Sequence, residues 1–162
     1  MTLEPLLNAP VAIQIHVAAV VPAAILGAYL LAWPKGAPRH RMLGKIWMAL
    51  MVVTALSSFF IHEINLVYGF SPIHLLSVFV LAGSWRAILA ARRHDIRTHR
   101  RIVSGMYFGG IVVAGLATLL PGRLMHAVTF SGNSWLALAL LGLVTAAIGA
   151  AIGFRPRRSR VA

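Results

Sequence analysis

A chain of 162 residues that is 59% hydrophobic and 11% charged, with a mean hydropathy of +0.83, is too apolar for a water-soluble domain, and a bilayer is its natural solvent. Its net charge of +12 does not mark a nucleic-acid-binding face. Every Lys and Arg except Arg123 falls in one of three clusters, at 35–45, 86–101 and 155–160, placing the charge in loops and a tail between nearly uncharged runs. The absence of cysteine excludes disulfides, thiolate metal sites and cysteine nucleophiles.

Taken in chain order, the apolar runs predict five membrane-spanning helices at 11–31, 43–61, 72–89, 102–120 and 135–154. Residues 1–9 carry Glu4 and no basic run, so the first span is expected to be retained. Pro and Gly punctuate the connections, as in Trp33-Pro34-Lys35-Gly36-Ala37-Pro38. With the basic clusters held on the cytoplasmic side, an odd number of spans puts the N-terminus outside and the basic tail, 155–162, in the cytoplasm. Trp33, Trp47, Trp85 and Trp135 are then expected near span ends, where amphipathic rings prefer the interface.

The order also suggests a duplicated hairpin. His16 opens the first span and His40-Arg41 the second; His74 opens the third and His99-Arg100 the fourth. The expected architecture is an all-α integral membrane protein, with a four-helix bundle of two similar helical hairpins plus a fifth helix, in one membrane domain. The charge map sorts the histidines by depth: His16, His62, His74 and His126 toward the outer face, and His40, His94 and His99 beside the cytoplasmic clusters. Thr54, Ser58 and His62 share one face of the second helix, and His74, Ser77, Leu81 and Ser84 one face of the third. Polar groups in hydrocarbon need partners, so these faces are expected to meet inside the bundle.

Imidazoles at matching depth on facing helices are the protein side of a bis-histidine haem, with His16 and either His62 or His74 as the axial pair. A quinone headgroup, accepting from a histidine, is the second cofactor that suits an apolar bundle. Zinc or copper held by His16, His62, His74 and Glu63 is the third. None has a diagnostic ligand spacing. The carboxylates, Glu4, Glu63 and Asp95, include no mid-membrane pair, which argues against paired-carboxylate hydrolysis and acidic proton relays. Gly105 with Gly109, and Gly149 with Gly153, read as small-residue helix contacts that permit a homodimer.

Arg123, the one cation on the outer side, follows Pro121-Gly122 and stands near His126. It suits a propionate clamp at the bundle mouth or an interfacial arginine reaching lipid phosphate. The cytoplasmic clusters suit anionic lipids.

The runs Ser57-Ser58-Phe59-Phe60-Ile61-His62, Phe70-Ser71-Pro72-Ile73-His74-Leu75-Leu76-Ser77, Thr98-His99-Arg100-Arg101 and Leu120-Pro121-Gly122-Arg123-Leu124-Met125-His126 resemble the bacterial membrane-protein family catalogued as domain of unknown function 2306. His40-Arg41 with Gly44 resembles that family's His-Arg-x-x-Gly element, whereas Arg101-Ile102-Val103 departs from its His-Arg-x-x-Met element. The resemblance covers roughly residues 10 to 130 and implies a polytopic bacterial membrane protein without implying an activity. The expected function is a small redox protein of the inner membrane, holding b-type haem or quinone near the outer face. His16, His62, His74, Ser58 and Ser77 line the site, with Arg123 and His126 at its mouth. A non-enzymatic accessory or assembly subunit of a membrane complex, and a metal or small-solute carrier, are the alternatives.

Overall fold

The computed structural model describes residues 3–61, 72–119 and 123–130, and all regular structure among them is helical. A short α1 (Glu4–Leu7) leads into α2 (Val11–Ala32), α3 (Pro38–Ser58), α4 (Pro72–Arg92) and α5 (Ile96–Gly105). Without a break, α5 continues into a π-helical segment (Met106–Val113) and α6 (Ala114–Thr118); α7 (Leu124–Phe130) follows. Four stretches among the described residues are long and apolar enough to cross a membrane: Val11–Ala32, Pro38–Ser58, His74–Arg92 and Ile96–Thr118. The expected fifth span and basic tail lie outside the described residues.

Two helices start earlier than their apolar runs, because local start signals outweigh side-chain polarity. Pro38 occupies the first helical positions of α3 behind an extended Ala37, where its missing N–H costs nothing. Asp95 caps α5, its Oδ1 accepting from Thr98 N at 3.0 Å. Arg39, His40 and Arg41 therefore ride on α3, and Arg97, His99, Arg100 and Arg101 on α5. The expectation that charge lies only in loops and a tail is corrected accordingly. Between α2 and α3 the turn relies on Gly36 at φ 97°, a backbone that side chains disfavour, while Lys35 Nζ donates to Leu31 O at 2.7 Å and satisfies one terminal carbonyl of α2.

Around the bundle, α2 packs on α3, α3 on α4, α4 on α5 and the π segment, and the π segment back on α2. One end carries the starts of α2 and α4 with His16 and His74; the other, the basic end, carries the starts of α3 and α5 with His40 and His99. Lipid tails are as apolar as leucine, so close approach and internal hydrogen bonds hold such helices together. The middle of the bundle shows both. A Cβ on Gly27 would stand 2.6 Å from Trp47 Nε1 and from the Tyr107 ring, and one on Gly83 would stand 2.7 Å from Met106 Sδ. Trp47 Nε1 donates to Ala23 O at 2.9 Å, and Tyr107 OH to Ala24 O at 3.2 Å, just past Pro22 in α2.

This layer corrects two sequence expectations. Trp47 is 2% exposed and belongs to the core, whereas Trp33 and Trp85 are exposed; Trp135 lies outside the described residues. An indole N–H that finds a backbone acceptor loses its reason to seek the interface. The close-approach glycines are Gly27, Gly83 and Gly110, while Gly105 and Gly109 have nothing within 4 Å of their Cβ positions and make no such contact within the described chain. Gly149 and Gly153 lie outside it.

Candidate functional site

At the His16 end the polar groups of three helices form one seam. Ser58 on α3 and Ser77 on α4 share a hydrogen bond, and Ser58 also donates to Ala55 O at 2.7 Å. His74, one turn before Ser77 on the same face of α4, packs its ring on Phe59 with centroids 5.8 Å apart. Ser57, Ser58, His74 and Ser77 are all buried. The expected meeting of the α3 and α4 polar faces is thus present at Ser58 and Ser77. Farther along those faces, Ser84 reaches Met106 Sδ at 3.8 Å, and Thr54 Oγ1 is buried without a hydrogen-bond partner among the described residues.

His16 enters the seam from α2. Its Nδ1 lies 3.0 Å from Thr54 O and 3.2 Å from Ser57 Oγ, while Ser57 Oγ donates its own proton to Thr54 O at 3.0 Å. A carbonyl oxygen only accepts, so Nδ1 carries the ring proton and Nε2 keeps the lone pair. Holding one imidazole nitrogen on a backbone carbonyl while the other stays basic is how proteins prepare a histidine to ligate a metal. The serine spacing marks this seam in the sequence; Ser57 stands only in a family-like run, and the Thr54 carbonyl that meets the His16 ring has no signal there.

Four other residues are expected at this end, two of them described. Arg123 precedes α7 and His126 lies on it, both half-buried, and α7 packs on α1. His62 and Glu63 lie outside the described residues. Among the described residues no group of three His, Cys, Asp or Glu side chains is placed to hold a metal ion.

The basic end repeats one element of this geometry. His99 Nδ1 lies 2.9 Å from Ala87 O on α4, so its Nδ1 donates and its Nε2 keeps the lone pair. His40, half-buried at the start of α3, has its Nδ1 enclosed and without a hydrogen-bond partner among the described residues. It lines a cleft of about 180 Å³ with Tyr29, Trp33, Arg39 and Leu43. In the α4–α5 turn, His94 takes φ 58°, and Asp95 follows. The Thr98 side chain, and then its backbone N–H, hydrogen-bond to the Asp95 carboxyl and hold it below the usual carboxylate range.

Depths follow from the middle layer of Gly27, Trp47, Gly83 and Met106, at about 1.5 Å per residue. His16 and His74 lie eleven and nine residues from Gly27 and Gly83, about 16 and 14 Å along the axis. Toward the basic end, His40 and His99 each lie seven residues from Trp47 and Met106, about 10 Å. Each end therefore carries two histidines at nearly one depth.

No curated protein and no solved structure matches the chain. A family model does, over residues 13–153, and its description is a predicted membrane protein. That stretch takes in all four described spans and the histidines of both ends, and the chain belongs to this family, Predicted membrane protein (DUF2306).

Proposed function

We propose that this is a redox protein of the bacterial inner membrane, with its N-terminus outside, that holds b-type haem near the outer face between His16 and His74. The observation that carries the reading is the His16 ring, whose Nδ1–H is fixed by Thr54 O and whose Nε2 lone pair is thereby directed away from that carbonyl. His74, 5% exposed and at nearly the same depth, would hold it from α4. Two imidazoles suffice for haem because the macrocycle brings four nitrogens of its own, whereas zinc or copper would need further donors from the chain. Haem bound there would supply one-electron chemistry. The protein's part is to fix the His16 tautomer, exclude water through the Ser57, Ser58 and Ser77 seam, and hold propionates at the mouth with Arg123 beside His126.

The finer architecture belongs to the same proposal: two similar hairpins forming the bundle, a fifth span, and cationic helix starts lying against anionic cytoplasmic lipids. A quinone headgroup is the second reading, favoured by hydroxyls of Ser57, Ser58 and Ser77 clustered beside His16. Detergent-purified protein separates the two. The haem reading expects a Soret band that is lost or converted to high spin in His16→Ala and in His74→Ala. Colourless protein that releases quinone on solvent extraction would replace it with the second reading. Colourless protein without quinone, stable in both variants, would contradict both and leave an accessory or assembly subunit. Zinc or copper stoichiometric with the chain, lost with His16 or Glu63, would favour the carrier.

A further inference from the structure

We infer that the basic end holds a second haem, ligated by His40 and His99. This extends the reading of the His16 end, but its residues and observations are separate.

His99 is prepared in the same way as His16. Its Nδ1–H donates to Ala87 O at 2.9 Å, which places a ring proton on Nδ1 and turns Nε2 away from that carbonyl. His40 supplies the complementary sign of a missing ligand. Its Nδ1 is buried and has no hydrogen-bond partner among the described residues, and such an atom is costly unless something binds it. The helices bearing the two residues, α3 and α5, both run away from the basic end. Trp47 and Met106 stand in one packed layer, and His40 and His99 each precede that layer by seven residues. The two rings therefore share a depth. They also lie within electrostatic reach of each other, with Lys35 as a further charged neighbour of His40.

The surroundings favour a macrocycle over a bare ion. His94 stands in the α4–α5 turn, Asp95 accepts from Thr98 N, and among the described residues no third His, Cys, Asp or Glu is grouped with His40 and His99 to hold a metal ion. Zinc and copper need more donors than that, whereas haem needs two. Gly44 sits one turn beyond His40 on the same face of α3, and a Cβ there would meet nothing within 4 Å, which leaves room for a flat ring beside the ligand. Arg39 lines the cleft next to His40, and Arg100 follows His99, so guanidinium groups flank both ligands to receive propionates.

From these depths the two sites stand about 25 Å apart along the bundle axis, with the Trp47 layer between them. The test is the haem content of full-length protein purified after expression with added haemin, measured per chain as the pyridine haemochromogen. Wild type is expected to hold two haems; His40→Ala and His99→Ala each hold one, as does His16→Ala. A His40→Gly variant given free imidazole is expected to regain the second low-spin haem, a rescue that a structural role would not show. Two haems retained in both His40→Ala and His99→Ala, or one haem in wild type that only His16→Ala removes, would overturn the basic-end site. One haem lost with His40 or His99 and indifferent to His16 would sustain it and remove the site of the other end. Wild type without haem would overturn both, and an imidazole-insensitive His40→Gly protein would overturn ligation by His40.

Discussion

The His16 end and the basic end solve the same problem with opposite surroundings. Both present two histidines on spans separated by one neighbour, and at both one ring is pinned through Nδ1 to a backbone carbonyl of the adjacent helix, Thr54 or Ala87. At the His16 end the second histidine is buried and the seam is filled with hydroxyls. At the basic end the second histidine is half-buried beside arginines, with a ring nitrogen that has no hydrogen-bond partner among the described residues. The difference teaches that backbone carbonyls set the orientation of one ring at each end, while local polarity differs: buried hydroxyls at one end, arginines at the other.

The two ends share one middle layer, so the largest structural effect should fall on both together. Gly27→Ala drives a methyl to 2.6 Å from Trp47 and Tyr107, and overpacking of this kind costs about 1–3 kcal/mol. Thermal unfolding in detergent should report it. Gly83→Ala meets chiefly the flexible Met106 side chain, with Ile102 at an ordinary contact distance of 3.6 Å, and should cost less; an equal cost would mean that the layer does not rest on the Trp47 contact. Trp47→Phe removes the bond to Ala23 O and should cost about 0.6–1.7 kcal/mol, the range for interhelical hydrogen bonds in membranes.

Smaller changes should separate the ends. Ser58→Ala breaks the link to Ser77 and should loosen only the His16 end, by about 0.6 kcal/mol. Hydrogen exchange near α5 should stay unchanged. Asp95→Ala should act only at the basic end, and with a pH dependence of known sign. Because hydrogen bonding from Thr98 lowers the folded-state pKa of Asp95, its contribution is present above the ordinary carboxylate range and is lost as pH falls through the lowered value. Wild type and Asp95→Ala should therefore differ modestly at neutral pH and converge in acid. A gap that widens in acid would break the assignment of Asp95 as a cap.

How much of this was legible in the residues follows from which interactions leave a trace in side-chain pattern. Apolar length announced the four described spans, and the serine spacing on the second and third announced the Ser58–Ser77 contact. Helix starts were misplaced because Pro38 and Asp95 act through backbone geometry that hydropathy ignores. Trp47 was assigned to the interface because its acceptor, Ala23 O, is a backbone atom, and backbone atoms have no letter in the sequence. The same blindness hid the carbonyl partners of His16 and His99. The π-helical stretch from Met106 to Val113 contains Tyr107 and Gly110, which meet α2, α3 and α4, and its residue types fit an ordinary helix equally well.

The central proposal is that at each end a carbonyl-oriented histidine and a second histidine of similar depth together hold haem. Electron paramagnetic resonance of the oxidised, purified protein tests it most directly. Low-spin ferric signals of bis-imidazole haem are expected, with His74→Ala converting one of them to high spin. A protein with no ferric haem signal, or one already high-spin in wild type, would contradict it.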